Sequence, residues 1–150
     1  MSSTLNLPPF VALPLRRIVT ALEALQPLAQ LAARLYVAQA FFLSGLTKIR
    51  DWDTTLALFQ DEYHVPLLPP GLAAVMGTSG ELGLPVLLVL GLAGRFAAAG
   101  LSFVNVVAVL SLAEIAPAAL QQHEFWGSLL IGLLLWGPGR WSLDARLWPR

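Results

Sequence analysis

Apolar positions dominate this chain, and the few places where polar residues, glycine or proline interrupt them delimit its elements. Residues 1–14 carry prolines and no period, which predicts an extended lead-in. From there Leu15, Ile18, Val19, Leu22 and Leu25 share one helical face, opposite Arg16, Arg17, Thr20, Glu23 and Gln26. That pattern predicts an amphipathic helix lying in a membrane interface and ending at Pro27. Its charges and Pro27 also interrupt the apolar core that a signal peptide needs. Four long apolar runs follow, at 28–47, 72–94, 96–116 and 118–138. About 20 residues rising about 1.5 Å each cross the hydrocarbon core.

Between the first two runs, Trp52, Leu56, Phe59 and Tyr63 recur at helical spacing, predicting a short surface helix that Pro66 ends. The second run and the third meet at Gly94-Arg95, so these two runs should form a tight hairpin. The fourth run is uninterrupted only from Phe125 to Gly137, and its first turn would place Gln121, Gln122, His123 and Glu124 among headgroups or against protein. The expected fold is an all-α membrane protein. It is an antiparallel bundle of four transmembrane helices over 28–150, preceded by the lead-in and interfacial amphipathic helix of 1–27.

Composition agrees. The chain is 57% hydrophobic and 12% charged, with a mean hydropathy of +0.70, against about 25% charged for an ordinary soluble domain. Such a chain cannot cover its apolar surface with polar groups in water. Its formal net charge is zero, with no basic run longer than Arg16-Arg17, which argues against nucleic acid as a partner. Cysteine is absent, which removes disulfides, thiolate metal sites and thiol redox chemistry. No bis-histidine pairing lies in the spans, so haem carried by this chain is not expected. Arg16, Arg17, Arg95, Arg140, Arg146 and Arg150 fall on one side of the four spans, and only Lys48 and Arg50 on the other. This asymmetry puts both termini in the cytoplasm.

Glu81 is the only residue from Leu72 to Gly94 that can carry charge. A carboxylate near mid-membrane costs roughly 2.5–3.5 kcal/mol or more unless paired or protonated, so Glu81 should face protein. Ala73, Gly77, Gly80 and Gly83 would let another helix approach it. Pro85 leaves the Glu81 carbonyl without a helical donor. Arg34 is the expected partner, about 10 Å different in depth by helical rise. Arg34, Ala38, Phe41, Gly45 and Lys48 share one face, and Ser102 and Asn105 offer further hydrogen bonds from the third run. The candidate buried polar site is therefore Arg34, Lys48, Glu81 and Asn105. An arginine–glutamate pair that merely fixes helix register is an equal competitor to a ligand or proton site. His64 and His123, with outer-side carboxylates, form the only candidate metal group, and nothing in their spacing requires it.

At the cytoplasmic end, Gly137-Pro138-Gly139 stops the fourth helix. Ser142 can cap a short new one, and Asp144 sits in its first turn, able to pair with Arg95 or Arg140.

Arg34, Ser44-Gly45, Lys48, Pro66, Glu81 with the LLVLGLAGR that follows, and the closing GPGRWSLD are together similar to the DoxX family of small membrane proteins. The resemblance runs from about Arg34 to Leu147. It implies a four-helix membrane bundle and an association with membrane redox systems, such as the small subunit of thiosulfate:quinone oxidoreductase, or with biosynthesis of copper-binding peptides. The N-terminal amphipathic segment lies outside the shared pattern.

The function expected is an accessory subunit or partner of such a redox or maturation system, not itself an enzyme. Its expected ligand is a quinone or a lipid, and its expected partners are membrane lipid, a protein or further copies of itself. Two alternatives remain open. One is a small proton-coupled or solute transporter working as an oligomer, with Glu81 titrating. The other is a structural or chaperone-like membrane protein.

Overall fold

A computed structural model describes residues 9–148, and every regular element among them is helical. The order is α1 (Pro9–Arg50), α2 (Trp52–Asp61), α3 (Pro70–Leu90), α4 (Gly94–Leu110), α5 (Pro117–Trp136) and α6 (Leu143–Leu147). Residues 1–8 of the expected lead-in lie outside the described residues.

The largest departure from expectation is α1. Residues 9–14, expected to be extended, join the expected interfacial helix and first span in one unbroken helix of 42 residues, with Pro14 and Pro27 inside it. A helix tolerates proline where the one lost hydrogen bond is outweighed by what surrounds it, and Pro27 is buried. The segment before it is not. Every residue from Leu13 to Gln26 is exposed, so this stretch of α1 continues the helix beyond the packed part.

The second correction concerns the hairpin. Helix α3 stops at Leu90 and α4 starts at Gly94, so the turn is Gly91–Ala93 and not Gly94-Arg95. Gly91 adopts φ 65°, its amide reaching Leu88 O at 3.1 Å while the Leu92 amide reaches Leu87 O at 3.0 Å. This left-handed closure satisfies carbonyls that a helix end leaves open. Arg95 is helical; placing the turn at a charge overlooked the glycine that makes it. Helix α4 also ends at Leu110, short of the expected Ala116, with the Ser111 amide on Val107 O.

Helix α2 is capped by Asp51, whose carboxylate accepts from the Thr54 amide at 3.1 Å and the Thr54 hydroxyl at 2.7 Å. It folds back on α3, burying Phe59 against Ala73 and Ala74. The main core joins the other four long helices through Val37, Ala38 and Phe41, Leu88, Ala97, Ala98 and Leu101, Leu130 and Leu133. Small residues set the spacing. A Cβ at Gly100 would lie 2.8 Å from Leu84, and one at Gly80 would lie 3.2 Å from Val104.

The outward faces are as apolar as the core. Phe103 is 71% exposed and Leu110 67%. Contiguous apolar surface of this kind is normal where lipid is the solvent. Among the described residues, Pro70–Leu90 alone is both long and apolar enough to cross a membrane by itself, and α4 is a shorter apolar helix.

Candidate functional site

The four residues expected to form one polar site lie in three separate places. Arg34, 1% exposed, is the most deeply buried charge. Its Nε donates to Leu88 O at 2.8 Å and its Nη2 to Val89 O, both at the end of α3. Its Nη1 donates to Pro138 O at 2.9 Å and Trp141 O at 2.7 Å. A guanidinium carries a planar fork of five donors, and here four bonds tie the end of α3 to the segment after α5. Arg34 therefore does not pair with Glu81. The expected Arg34–Glu81 pair is replaced by an arginine clamp on backbone carbonyls.

Around the clamp the tail is locked by complementary contacts. Asp144 accepts from the Ala93 and Gly94 amides, each at 2.8 Å, and its own amide donates to Gly91 O at 2.9 Å. It thus caps α4, where orphan amides and the helix dipole favour an acid. The expected pairing of Asp144 with Arg95 or Arg140 is not made. Arg95 donates instead to Leu135 O at 3.1 Å, near the end of α5, and Arg140 is exposed. Ser142 caps α6 by accepting from Ala145 at 3.2 Å, and its hydroxyl donates to Gly139 O at 2.6 Å. Gly91 is indispensable to this packing. A Cβ there would fall 2.4 Å from Ser142 Cβ and 2.8 Å from Arg34 Nη2.

Glu81 is served by Lys48. The Lys48 ammonium lies 2.7 Å from Oε1 and 2.6 Å from Oε2, and also donates to Ser44 Oγ at 3.0 Å. The two side chains are 19% and 9% exposed. Gly45 permits the approach: a Cβ there would lie 2.9 Å from Leu82 and 3.1 Å from Glu81 Cβ. Lys48 is 14 residues beyond Arg34 on the same helix, about 21 Å along its axis. The two cations of one face thus serve opposite ends of the helical core. Tyr63, after α2, feels the same carboxylate. Burial, with the charges of Glu62 and Glu81, pushes its phenol above the usual value. Thr78, one turn before Glu81, buries a hydroxyl that has no hydrogen-bond partner among the described residues.

Asn105 belongs to neither charge. Its Nδ2 donates to His123 O at 3.0 Å, and its Oδ1 lies 2.8 Å from His123 Nδ1. The ring nitrogen facing a carbonyl oxygen must be the donor, which fixes the tautomer of a neutral ring. Trp126 stands edge-on to His123, with centroids 5.1 Å apart. Ser102 turns to its own helix, at Ala98 O. The other histidine, His64, faces Glu62 O at 3.1 Å. Among the described residues, no group of three histidines or acids is placed to hold a metal.

An open groove of about 950 Å³ lies between the projecting part of α1 and the tail, bordered by Glu23, Gln30, Arg95, Trp136 and Arg140.

Sequence reasoning named Lys48 and Glu81 but paired the acid with the wrong cation. The signal available was the shared face of Ser44, Gly45 and Lys48, which brings a hydroxyl, a gap and a charge to one turn. No sequence signal marks the carbonyls of Leu88, Pro138 and Trp141 as the partners of Arg34.

No curated protein and no solved structure matches the chain. The family model DoxX matches residues 29–114, more than half of the sequence, enclosing Arg34, Lys48, Glu81 and Asn105 and stopping before α5 and the tail. The chain belongs to the DoxX family and is a small helical membrane protein.

Proposed function

We propose that this protein is a non-catalytic accessory subunit of a membrane-bound redox or maturation system. In this reading it crosses a bacterial cytoplasmic membrane four times, with both termini in the cytoplasm. The observation that carries it is the use made of the buried polar groups. Arg34 is committed to carbonyls, Glu81 to Lys48, and Asn105 to His123. Such groups hold helices in one arrangement, which suits a subunit that presents surfaces to a partner or to a lipid-soluble ligand such as a quinone.

The gathering of Arg34, the Gly91–Ala93 turn and the tail at one end, with Lys48, Glu81 and α2 at the other, supports an even number of crossings. The arginines and tryptophans at the first end support its cytoplasmic placement. Purification of the full chain in mild detergent, with mass spectrometry of what accompanies it, tests the proposal. Recovery of a partner or a stoichiometric lipid-soluble ligand is expected. A lone, ligand-free protein that still complements a deletion would overturn it.

The Lys48–Glu81 pair favours a second reading. It retains some exposure in an otherwise apolar setting, and ionisable residues inside membranes commonly handle ions or protons. A proton-coupled carrier would lose flux in proteoliposomes on Glu81→Gln while remaining folded. Absence of flux in the unaltered protein removes this reading.

A further inference from the structure

Because α1 is a single helix, the amphipathic face of its projecting part can be followed without interruption into the part packed against α3. The two faces are in phase. Leu15, Leu22, Ala29, Tyr36 and Leu43 recur every seven residues, and all five are exposed. Ile18, Leu25, Ala32, Gln39 and Leu46 recur at the same interval, three residues further on, and only Leu46 is partly covered. Alternating steps of three and four over 32 residues make a heptad seam about 47 Å long. The charged residues of this stretch, Arg16, Arg17, Glu23 and Arg34, all fall outside the seam and its flanking positions. Within the packed part of α1, the seam lies opposite the face that carries Arg34, Phe41 and Lys48 into the core.

Three features single out a helix of the same sequence and direction as what covers this face. First, an interfacial helix is a separate element from the span it precedes, and α1 runs through Pro27 without a break in the helix. Its apolar stripe thus carries on along the same helix past the packed part, exposed from Leu13 to Gln26. Second, the stripe carries one strongly polar side chain in the packed part of α1, the exposed amide of Gln39. An amide facing hydrocarbon is unfavourable, whereas two amides across a two-fold axis satisfy one another, and a single polar seam residue fixes register. Third, Ala29 and Ala32 allow close approach just before that level. Beside Gln39 the surface is hollowed into an apolar groove of about 410 Å³, with Leu35 and Phe42 on one wall and Pro85 and Val89 on the other. Side chains flanking the seam of a second helix would enter it.

We propose that two copies of this protein associate through α1, as a parallel, left-handed two-stranded coil running from Leu15 to Leu46, with Gln39 bonded to Gln39 of the second copy. The left hand follows from a strict seven-residue repeat on a helix of 3.6 residues per turn. The parallel sense rests on the membrane reading above, since copies inserted alike can only run side by side in one direction.

The chain has no cysteine, so single replacements report directly. In native membranes under mild oxidation, Leu22→Cys, Leu25→Cys and Ala32→Cys should form disulfide-linked dimers. Thr20→Cys, Glu23→Cys and Ala24→Cys, on the other face, should form several-fold less. Leu15→Cys should link to itself and not to Leu25→Cys, which would indicate an antiparallel pair. Gln39→Ala should weaken association roughly threefold to tenfold, with Gln39→Asn closer to the unaltered chain. Uniform or absent crosslinking, an antiparallel pattern, or a linked species of a different mass overturns the proposal. No effect at Gln39 overturns its membrane half. Most of the cysteine positions lie on exposed helix away from the core, so loss of folding does not imitate a negative result. Fractionation of the same samples tests membrane insertion separately.

Discussion

Lys48 holds both carboxylate oxygens of Glu81, at 2.6 and 2.7 Å, and Arg34, on the same face of α1, holds neither. One helix face thus carries two cations with different tasks: Arg34 fastens chain ends, and Lys48 neutralises an acid. The distinction makes the two residues respond differently to substitution.

For the ion pair, removing one member leaves the other buried and uncompensated, at a cost of about 3 kcal/mol or more, whereas replacing both with apolar groups is often neutral. Glu81→Gln and Lys48→Met should each lower the thermal midpoint in detergent. The double variant Lys48→Met/Glu81→Leu should recover most of the loss. Additive losses would mean that the pair is not the relevant interaction.

The arginine clamp predicts a local effect. Arg34→Lys keeps the charge but replaces a planar fork with one ammonium, which cannot reach carbonyls on two segments at once. The tail should loosen before the rest, and trypsin should cut after Arg140 and Arg146 faster than in the unaltered chain. Arg34→Met should be worse, because each of four carbonyls loses a charged donor, at about 1–3 kcal/mol apiece. Equal cleavage rates in all three proteins would refute the clamp.

Glycines of similar appearance should behave in opposite ways. Gly91→Ala forces a side chain into Ser142 at a positive φ, and Gly94→Ala drives one to within 2.6 Å of Pro138. Both should destabilise the protein strongly. Gly83 meets nothing within 4 Å, so Gly83→Ala should be neutral or stabilise α3 by up to about 1 kcal/mol. Thermal midpoints of the three variants check this directly.

Asp51 provides the pH dependence. The Thr54 hydroxyl, and then the Thr54 amide, hold its carboxyl below the ordinary carboxylate range. A pKa lowered by folding means that its contribution is complete above the unfolded value, about 3.9, and fades as pH falls through the folded one. Protection from hydrogen exchange at the start of α2, taken relative to the intrinsic rate at each pH, should therefore fall under acid conditions. In Asp51→Asn that acid-dependent change should be lost, and a persistent one would assign it elsewhere.

Much of the architecture was legible in the residues because a helix in an apolar setting has few alternatives. The apolar runs located α3 and α5 to within a few residues, the Trp52–Phe59 spacing located α2, and Ser142 marked the start of α6. The differences fall at element boundaries. Pro27 marks a boundary by its residue type, yet a proline stops a helix only when nothing outweighs its one missing bond. The sequence points to Gly94-Arg95 for the turn after α3, whereas the determinant is the left-handed conformation of Gly91.

The sequence by itself determined that Glu81 must be buried against protein, that Arg34 and Lys48 share a face, and that Asp144 stands at a helix start. A period of 3.6 residues and the scarcity of charge require those things. Only the tertiary structure decided which group meets which. The relative slide of α1 on α3 depends on where Gly45 lets Leu82 and Glu81 approach, and the position of the tail depends on the turn at Gly91. A shift of one helical turn, about 5.4 Å, is enough to exchange one partner for another, and the pattern of apolar residues along a single helix contains no term for that shift.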